Sequence, residues 1–273
     1  MPSLTLRRPG HALRLGVAAS GLALVKHDRL FGRAPVLLAE QPLDLFAPDA
    51  LAPGLRGLLK GQRVEGWPVT VVLADDLVRL WQVTPPGGAT RMGDLEAAAA
   101  LRFQHLFGAP AADWRISADW DAAHPFLAAA MPQALLAQLL SAAKEHRFHL
   151  VEALPQFVAA MNGWRRARRP GAWFGQVAGG VLALAAYEGR RLVALRSAVV
   201  PDGAGRSWLD AHIAREALRL GVDAPERVQL CGSAPAGWSS SPGRLGFACS
   251  LLGAGQADGW SELARLARSG VTR

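Results

Sequence analysis

Two apolar segments interrupted by glycine are the residues of this sequence best suited to chemistry. The first contains Gly16, Ser20 and Gly21, and the second contains Gly179 and Gly180 about 160 residues later. Glycine accepts positive φ, so each segment predicts a strand, a tight turn and a second strand. The backbone N–H groups of such turns can bind a phosphate group. Neither turn contains an Asp or Glu, although a bound Mg²⁺ ion and an attacking water would require a carboxylate.

Other arrangements of reactive side chains do not match a known site pattern. His146 and His149 lie near Glu145 and Glu152, but they straddle a predicted helix end and no third ligand accompanies them. We therefore interpret them as an exposed helix terminus. The sequence has no Gly-x-Ser-x-Gly nucleophile turn, no Gly-x-x-x-x-Gly-Lys loop and no Gly-x-Gly-x-x-Gly fingerprint. No catalytic residue and no metal site is predicted.

The first glycine segment also has features of a signal peptide, because Arg7, Arg8 and Arg14 precede the apolar stretch Leu15–Val25. Against that interpretation, apolar residues alternate on both sides of the central turn, and no convincing small-residue cleavage site follows. We therefore predict a buried hairpin. No other segment reaches the roughly 18 apolar residues of a membrane span.

Between and after the hairpins, apolar periodicity predicts alternating strands and helices. The predicted strands are 36–39, 69–74, 77–83, 114–120, 126–131, 150–153, 191–195 and 228–231. The predicted helices are 51–59, a helix capped by Asp94, helices begun by Pro132 and Pro155, a helix with a capping box at Ser207, and 261–268. For the helix after Pro132, the predicted buried face is Leu136, Leu139, Leu140 and Ala143. Pro170-Gly171 marks the boundary between two halves.

The net charge of +8 would by itself suggest a nucleic-acid partner, but Arg outnumbers Lys 27 to 3, a skew typical of GC-rich coding sequences, so we give the charge little weight. The sharpest basic cluster is 165–169, at a predicted helix end. We interpret it first as cations that complement a helix C-terminus, while an acidic partner or an anionic membrane surface stays open. No aromatic residues alternate with the basic ones, so nucleic-acid binding is not predicted. The two cysteines fit a reducing cytosol.

The order of these elements resembles the actin-like ATPase fold, and within it proteins of the PilM type and the cytoplasmic domain of GspL. Family members open with a strand that ends Gly-apolar-Asp-apolar-Gly. Here Ala18 occupies the Asp position, and Gln176 occupies the corresponding position in the second hairpin. Gly232 and Ser233 resemble the adenosine-side glycine motif of the family. The resemblance covers nearly the whole chain.

This resemblance implies a two-lobed α/β fold of the duplicated, ribonuclease H-like kind. The first lobe would be 1–169 with an inserted subdomain at about 78–164, and the second, reduced lobe would be 170–273. The implied nucleotide-binding residues are Gly16, Ser20, Gly21, Gly179, Gly180, Gly232 and Ser233. Because the acidic positions are lost, we expect a degenerate site and a pseudo-enzyme without a cofactor, although binding of ATP and Mg²⁺ without hydrolysis stays open. The alternative is an ATP-binding enzyme whose carboxylate comes from Asp75, Asp76 or Asp202.

The resemblance also implies a function. The inserted helix stands where PilM-like proteins build a groove for a short peptide of a membrane-bound partner, which makes Leu95, Ala99 and Phe103 candidate contacts. Trp238 and Trp260, in Gly/Ser-rich surroundings, are further interface candidates. We therefore expect a cytoplasmic scaffold of a type IV pilus or type II secretion assembly, recruited to the inner membrane through its partner, with self-association left open. Recognition would use a helix in a groove or an added strand.

Overall fold

The first hairpin begins a five-stranded sheet. The computed structural model describes residues 11–28, 34–45, 50–189, 191–239, 246–253 and 259–271. In it, β1 (His11–Ala18) and β2 (Gly21–Asp28) pair antiparallel. With β3 (Val36–Pro42), β4 (Pro68–Leu73) and β8 (His149–Pro155) they form a sheet of order β3-β2-β1-β4-β8. Since β1, β4 and β8 run parallel, their carboxyl ends share one edge of the sheet.

The two faces of this sheet have different partners because strand side chains alternate. Leu13, Leu15 and Val17 pack against α1 (Leu51–Leu59) and α3 (Gln133–Glu145) in one apolar core. Burial of each such leucine contributes roughly 2 kcal/mol relative to exposure. On the opposite face, Arg14 and Gly16 meet the last helix, α6 (Glu262–Arg268). A Cβ atom on Gly16 would lie 2.8 Å from the Ala267 nitrogen, so glycine permits the close approach of α6.

The second lobe repeats the plan around a second five-stranded sheet. β9 (Trp173–Ala178) and β10 (Val181–Glu188) form the second hairpin. β11 (Arg191–Val199), β12 (Arg227–Gly232) and β13 (Ala248–Leu251) complete the order β11-β10-β9-β12-β13. α5 (Arg206–Leu220) joins the buried core of this lobe through Leu209, Ile213 and Ala217. β11 is therefore an edge strand of this sheet.

The inserted subdomain is a three-stranded sheet covered by one helix. β5 (Arg79–Val83), β7 (Phe126–Pro132) and β6 (Trp114–Ala118) pair in that order, and α2 (Met92–Phe107) packs on one face. The predicted insertion, 78–164, is too long. α3 packs in the core of the first lobe and β8 pairs with β4, so both belong to the first lobe and the insertion spans 79–132.

A layer of two helices separates the two large sheets. α4 (Gln156–Gly163) contacts both lobes, and the rings of Phe157 and Phe174 lie 5.8 Å apart. α6 lies beside α4 and packs on β1 and β2. The predicted second lobe, 170–273, therefore needs a correction, because α6 follows the second sheet in sequence but packs on the first. Among the described residues, no helix is long and apolar enough to cross a membrane.

Several helix ends differ from the sequence prediction by one to three residues. Asp94 is the third residue of α2 rather than its cap, and its carboxylate accepts a hydrogen bond from the Arg91 N–H group. Ser207 lies inside α5, whose N-cap is Gly205 without a side-chain hydrogen bond. In α3 the buried side chains are Leu135, Leu139, Ala142 and Ala143, whereas Leu140 is 51% exposed.

Candidate functional site

The β1–β2 turn is held by the chain that follows β3. The Ala19 and Ser20 carbonyl groups accept hydrogen bonds from the N–H groups of Leu45 (2.9 Å) and Leu43 (3.1 Å). A Cβ atom on Gly21 would lie 2.7 Å from the Gln41 carbonyl oxygen and 2.7 Å from a methyl group of Leu263. Packing against β3 and α6 is therefore a sufficient reason for glycine at this position.

The β9–β10 turn is open to solvent and has the geometry of a tight hairpin. Gly179 and Gly180 are exposed and have φ values of 53° and 71°. Positive φ at both central residues is typical of the type I′ turn, whose twist matches that of the paired strands. The Gly180 carbonyl group accepts a hydrogen bond from the Val200 N–H group at 2.8 Å. The turn type accounts for the two glycines without a bound phosphate.

The third glycine turn, at Gly232 and Ser233, is hydrogen-bonded to the end of β9. Gly232 has a φ of 82°, and a Cβ atom there would lie 2.2 Å from the Val177 carbonyl oxygen. The same carbonyl accepts hydrogen bonds from the N–H group of Ser233 at 2.8 Å and from its hydroxyl at 3.0 Å. Both polar groups of Ser233 that could contact a ligand are thus used within the protein.

Ala18 and Gln176 occupy the two positions at which the family resemblance implies an Asp. Gln176 is 3% exposed, and its Oε1 atom has no hydrogen-bond donor among the described residues. Asp75 follows β4 at the carboxyl edge of the first sheet. The preceding residue, Ala74, donates its N–H group to the Val17 carbonyl oxygen at 2.8 Å, which places Asp75 beside the end of β1.

The Asp75 carboxylate is engaged at the beginning of α4. Its Oδ1 atom accepts a hydrogen bond from the Phe157 N–H group at 3.1 Å. Burial raises the pKa of Asp75 to about 6, and the Phe157 hydrogen bond opposes that increase. Asp76 and Asp202, the other acidic residues considered, are exposed. The described residues contain no group of three or more His, Cys, Asp or Glu side chains that could hold a metal ion.

A groove with a volume of about 770 Å³ lies elsewhere, between the inserted subdomain and the second lobe. We call it the β5–β11 groove because two edge strands form its base. The Gln82 side chain donates to the Leu192 carbonyl oxygen at 2.7 Å and joins the two strands. The residues that line the groove are Leu80, Trp81, Gln82, Val83 and Thr84 of β5, Ala98, Leu101, Arg102, Leu106 and Phe107 of α2, and Val193, Ala194, Leu195 and Arg196 of β11.

The lining of the β5–β11 groove mixes polar and apolar surface in similar amounts and carries a positive charge on two walls. Arg102 lies on α2 and Arg196 lies on β11, and the lining contains no Asp or Glu. Arg196 also pairs with the buried Glu216 of α5, with 3.5 Å between Nε and Oε2. Glu216 has a second partner in Arg219 at 2.8 Å. The groove can therefore hold apolar side chains and attract a carboxylate.

Comparison with known structures identifies the fold. The cytoplasmic domain of EpsL, an inner membrane component of the type II secretion system of Vibrio cholerae, gives a TM-score of 0.59 at 13% identity, with 96% of each chain covered. A PilM–PilN type IV pilus biogenesis complex gives a TM-score of 0.60 at 18% identity, covering 96% of this chain and 99% of that chain. The chain has the actin-like ATPase fold.

A third similar structure supports the same fold, and the sequence comparisons add nothing to it. A Bacteroides thetaiotaomicron protein with an actin-like ATPase fold and unknown function gives a TM-score of 0.54 at 11% identity, covering 83% of this chain and 82% of that chain. No family model and no curated protein matches the chain. The predicted fold class and the resemblance to PilM and the GspL-type cytoplasmic domain are confirmed at the level of the fold.

Within the actin-like fold, the predicted partner residues of α2 lie on the wrong face for contact. Leu95, Ala99 and Phe103 are 0–4% exposed and form the core of the inserted subdomain. Leu101 and Leu106 of the same helix line the β5–β11 groove and are 67% and 44% exposed. Leu101 lies outside the regular apolar stripe, at a position that a solvated helix face would fill with a polar residue.

The two tryptophans proposed for an interface have structural partners. Trp238 is fully buried, its indole N–H group donates to the Ala204 carbonyl oxygen at 2.8 Å, and its ring stacks on Trp208 at 5.5 Å. It is a core residue of the second lobe and cannot contact a partner. Trp260 is half-buried, and the Arg268 guanidinium lies 5.1 Å from the centre of its ring. Neither residue lies in the β5–β11 groove.

Proposed function

We propose that this chain is a non-catalytic scaffold of a type IV pilus or type II secretion assembly, and that the β5–β11 groove receives a cytoplasmic segment of an inner-membrane partner. Two similarities support the proposal. One structure of the same fold is a PilM–PilN type IV pilus biogenesis complex, and another belongs to an inner membrane component of a type II secretion system. The groove is the observation in this chain that carries the proposal, because it places the exposed leucines of α2 and two arginines beside the edge strands β5 and β11.

The shape and charge of the groove indicate which kind of peptide segment it could bind. Among the described residues β5 and β11 are edge strands of their sheets and lie side by side at the base of the groove, so a segment can lie across them against α2. Leu101 and Leu106 cover apolar side chains of that segment, and Arg102 with Arg196 attracts a carboxylate. We infer an extended segment with alternating apolar side chains and at least one Asp or Glu. Burial of Leu101 would contribute roughly 1 to 2 kcal/mol to binding.

The non-catalytic part of the proposal rests on the glycine turns. Each glycine has a sufficient structural cause in a turn type or a close backbone approach. The Ser233 hydroxyl and the Asp75 carboxylate are both engaged within the protein. Hydrolysis would need a metal-linked carboxylate beside these turns, and Ala18 and Gln176 supply none.

The test uses a peptide of the inferred chemistry. The probe is a synthetic peptide of alternating Leu and Ser residues with one Glu at its centre. Binding is measured by fluorescence anisotropy. Leu101→Glu should weaken binding at least about tenfold because it places a charge in the apolar wall. Leu218→Glu is the matched control, since Leu218 is 83% exposed on α5 and lies outside the groove.

Two results would contradict the proposal. Equal binding by the Leu101→Glu and Leu218→Glu variants would show that the groove does not hold the peptide. Sustained phosphate release from Mg-ATP by the purified protein, lost on replacement of Asp75, would refute the non-catalytic role and support the alternative enzyme.

A further inference from the structure

Three arginines that follow α4 have exposed side chains without a partner among the described residues. They are Arg165, Arg166 and Arg169. Arg168, in the same cluster, has a structural role, since its Nη1 atom donates to the Tyr187 hydroxyl at 2.8 Å and its guanidinium lies 5.7 Å from the centre of the Phe174 ring. The cluster therefore divides into one anchoring arginine and three free ones.

The free arginines project from a segment whose backbone is fixed. The Arg169 N–H group donates to Gln229 Oε1 at 2.7 Å, and Gln229 Nε2 donates to the Ala167 carbonyl oxygen at 3.1 Å. The Gly171 N–H group donates to the Gly189 carbonyl oxygen at 2.8 Å. The segment 165–171 is thus held at the amino end of β9 and β12, beside the turn between β10 and β11. We call this surface the basic edge.

Completion of the α4 terminus does not account for these arginines. The N–H groups of Trp164 and Arg165 donate to the carbonyl groups of Ala160 and Asn162, and the N–H groups of 167 and 168 donate to the Trp164 carbonyl. Three of the carbonyl groups at this end, those of Ala160, Asn162 and Trp164, are therefore paired with backbone donors, and no side chain of the three arginines binds one. Arg165, Arg166 and Arg169 retain their full capacity to bind an external anion.

We propose that the basic edge binds the anionic phospholipid headgroups of a membrane surface directly. A protein interface needs a buried aromatic or aliphatic anchor, and none of the exposed large apolar side chains lies in 160–172 or 187–192 of the described chain. A nucleic-acid surface would offer exposed aromatic rings for stacking, but Trp164 packs against the α4 core. Flexible cations without an apolar anchor fit a flat, diffuse anionic surface.

The basic edge also lies close to one end of the β5–β11 groove. β11 begins at Arg191 and lines the groove from Val193, a separation of roughly 7 Å at the usual rise of a strand. A protein held by the basic edge would present the groove to a segment that leaves the membrane. The lipid contact stands independently of the groove, so either can fail without the other.

The test measures partition of the purified full chain onto vesicles by co-sedimentation. Vesicles of phosphatidylcholine with phosphatidylglycerol are compared with vesicles of phosphatidylcholine alone. The triple variant Arg165→Gln, Arg166→Gln, Arg169→Gln should reduce partition onto the anionic vesicles roughly 100-fold. High salt should abolish partition of the parent protein. The matched control, which removes the same charge from other exposed arginines, is Arg63→Gln, Arg115→Gln, Arg215→Gln.

The outcomes separate the alternatives. A loss confined to the basic-edge variant supports the proposal. Equal loss in both triple variants would overturn it in favour of unspecific attraction by net charge, and equal binding to neutral vesicles would overturn it by showing that charge is not the cause. Tighter binding to duplex DNA or to a poly-glutamate peptide than to anionic vesicles, lost in the basic-edge variant, would assign the surface to another partner. An unchanged midpoint of urea unfolding shows that the triple variant is folded.

Discussion

Replacement of Asp75 by Asn is expected to change how the stability of the protein depends on pH. Asp75 follows β4 and accepts a hydrogen bond from the Phe157 N–H group at 3.1 Å. Burial raises the pKa of its carboxyl group from 3.8 to about 6, the Phe157 hydrogen bond opposes this increase, and the neighbouring Asp76 carboxylate adds to it. Asn keeps an oxygen acceptor for the same hydrogen bond and has no charge to desolvate.

The direction of the effect follows from the raised pKa. The folded-state pKa of Asp75 lies above the unfolded value, so its contribution to stability is fully present below pH 3.8 and is lost as the pH rises through about 6. A shift of about two units corresponds to about 3 kcal/mol, which partial exposure reduces to about 2 kcal/mol. The Asp75→Asn variant should therefore exceed the parent in stability by about 2 kcal/mol near pH 8 and equal it near pH 4.

Urea unfolding, followed by tryptophan fluorescence across this pH range, measures the difference between the two proteins. Other titrating groups contribute equally to both and cancel in the difference. A difference that stays constant from acid to alkaline pH would refute the assigned pKa. A parent that is more stable than the variant at alkaline pH would show that the ionised carboxylate stabilises α4 by more than its desolvation costs.

The same titration separates the scaffold from the alternative enzyme. A Mg²⁺ ion bound near Asp75 would favour the ionised carboxylate and lower its pKa. Under the alternative, Mg-ATP should therefore reduce the stability difference at alkaline pH. Under the scaffold proposal, Mg-ATP should leave the difference unchanged.

Two further predictions concern the packing of α6 and the charge of the groove. A Cβ atom on Gly270, which has a φ of 80°, would lie 2.2 Å from the Ala159 carbonyl oxygen, so Gly270→Ala should lower the free energy of unfolding in urea by about 3 kcal/mol. Gly203→Ala, with a φ of 70° and open space around it, should cost only about 1 kcal/mol, and equal costs would contradict the packing argument. Arg102→Glu should weaken binding of the acidic partner peptide about tenfold, and a peptide with Lys in place of its acidic residue should regain affinity for that variant. Arg215→Glu, on the exposed face of α5, is the control, and equal weakening would show that the groove does not recognise the carboxylate.

The sequence predicted most elements because local signals decide them. α1 has the predicted bounds, Leu51–Leu59, and Gly108 and Gly221 end α2 and α5 in the left-handed conformation that glycine favours. The two hairpins follow from alternation around their turns. These features depend on residues within one or two turns of each other, so one sequence is enough to recognise them.

The placement of elements was not predictable in the same way. α6 has an amphipathic pattern that fits any sheet, and its position is decided by contacts more than 200 residues away in the chain. The Arg14 guanidinium donates to the Ala267 carbonyl oxygen at 2.8 Å and also to the Ser269 carbonyl oxygen, and Gly16 leaves room for the helix backbone. In the sequence alone, an Arg that binds the end of a distant helix looks the same as an Arg that precedes a signal peptide. The role of Arg14 could therefore not be predicted from its type and spacing.

The exposed leucines of α2 were not singled out in the sequence for a related reason. Periodicity identifies the side chains that the chain itself buries, which are Leu95, Ala99 and Phe103. A docking face must instead be exposed in the isolated protein, and Leu101, which departs from the stripe, is exposed in this way. For a helix on the surface of a subdomain, the deviations from periodicity therefore carry more functional information than the periodicity itself.

The glycine turns of this fold have structural causes that do not depend on a bound ligand. A turn that binds phosphate and a turn that only packs closely both require glycine, since each demands positive φ or the absence of a Cβ atom. Gly21 and Gly232 meet backbone carbonyl oxygens at 2.7 Å and 2.2 Å from an ideal Cβ position, and so they would be retained without any ligand. An acidic residue at position 18 or 176 would have no comparable packing role. An ionised side chain buried between the lobes is costly unless a metal ion or a hydrogen-bond donor compensates its charge. The packing reason for the glycines holds with or without a ligand, so under the proposed function the acidic positions, rather than the glycine turns, would distinguish an enzyme from a scaffold.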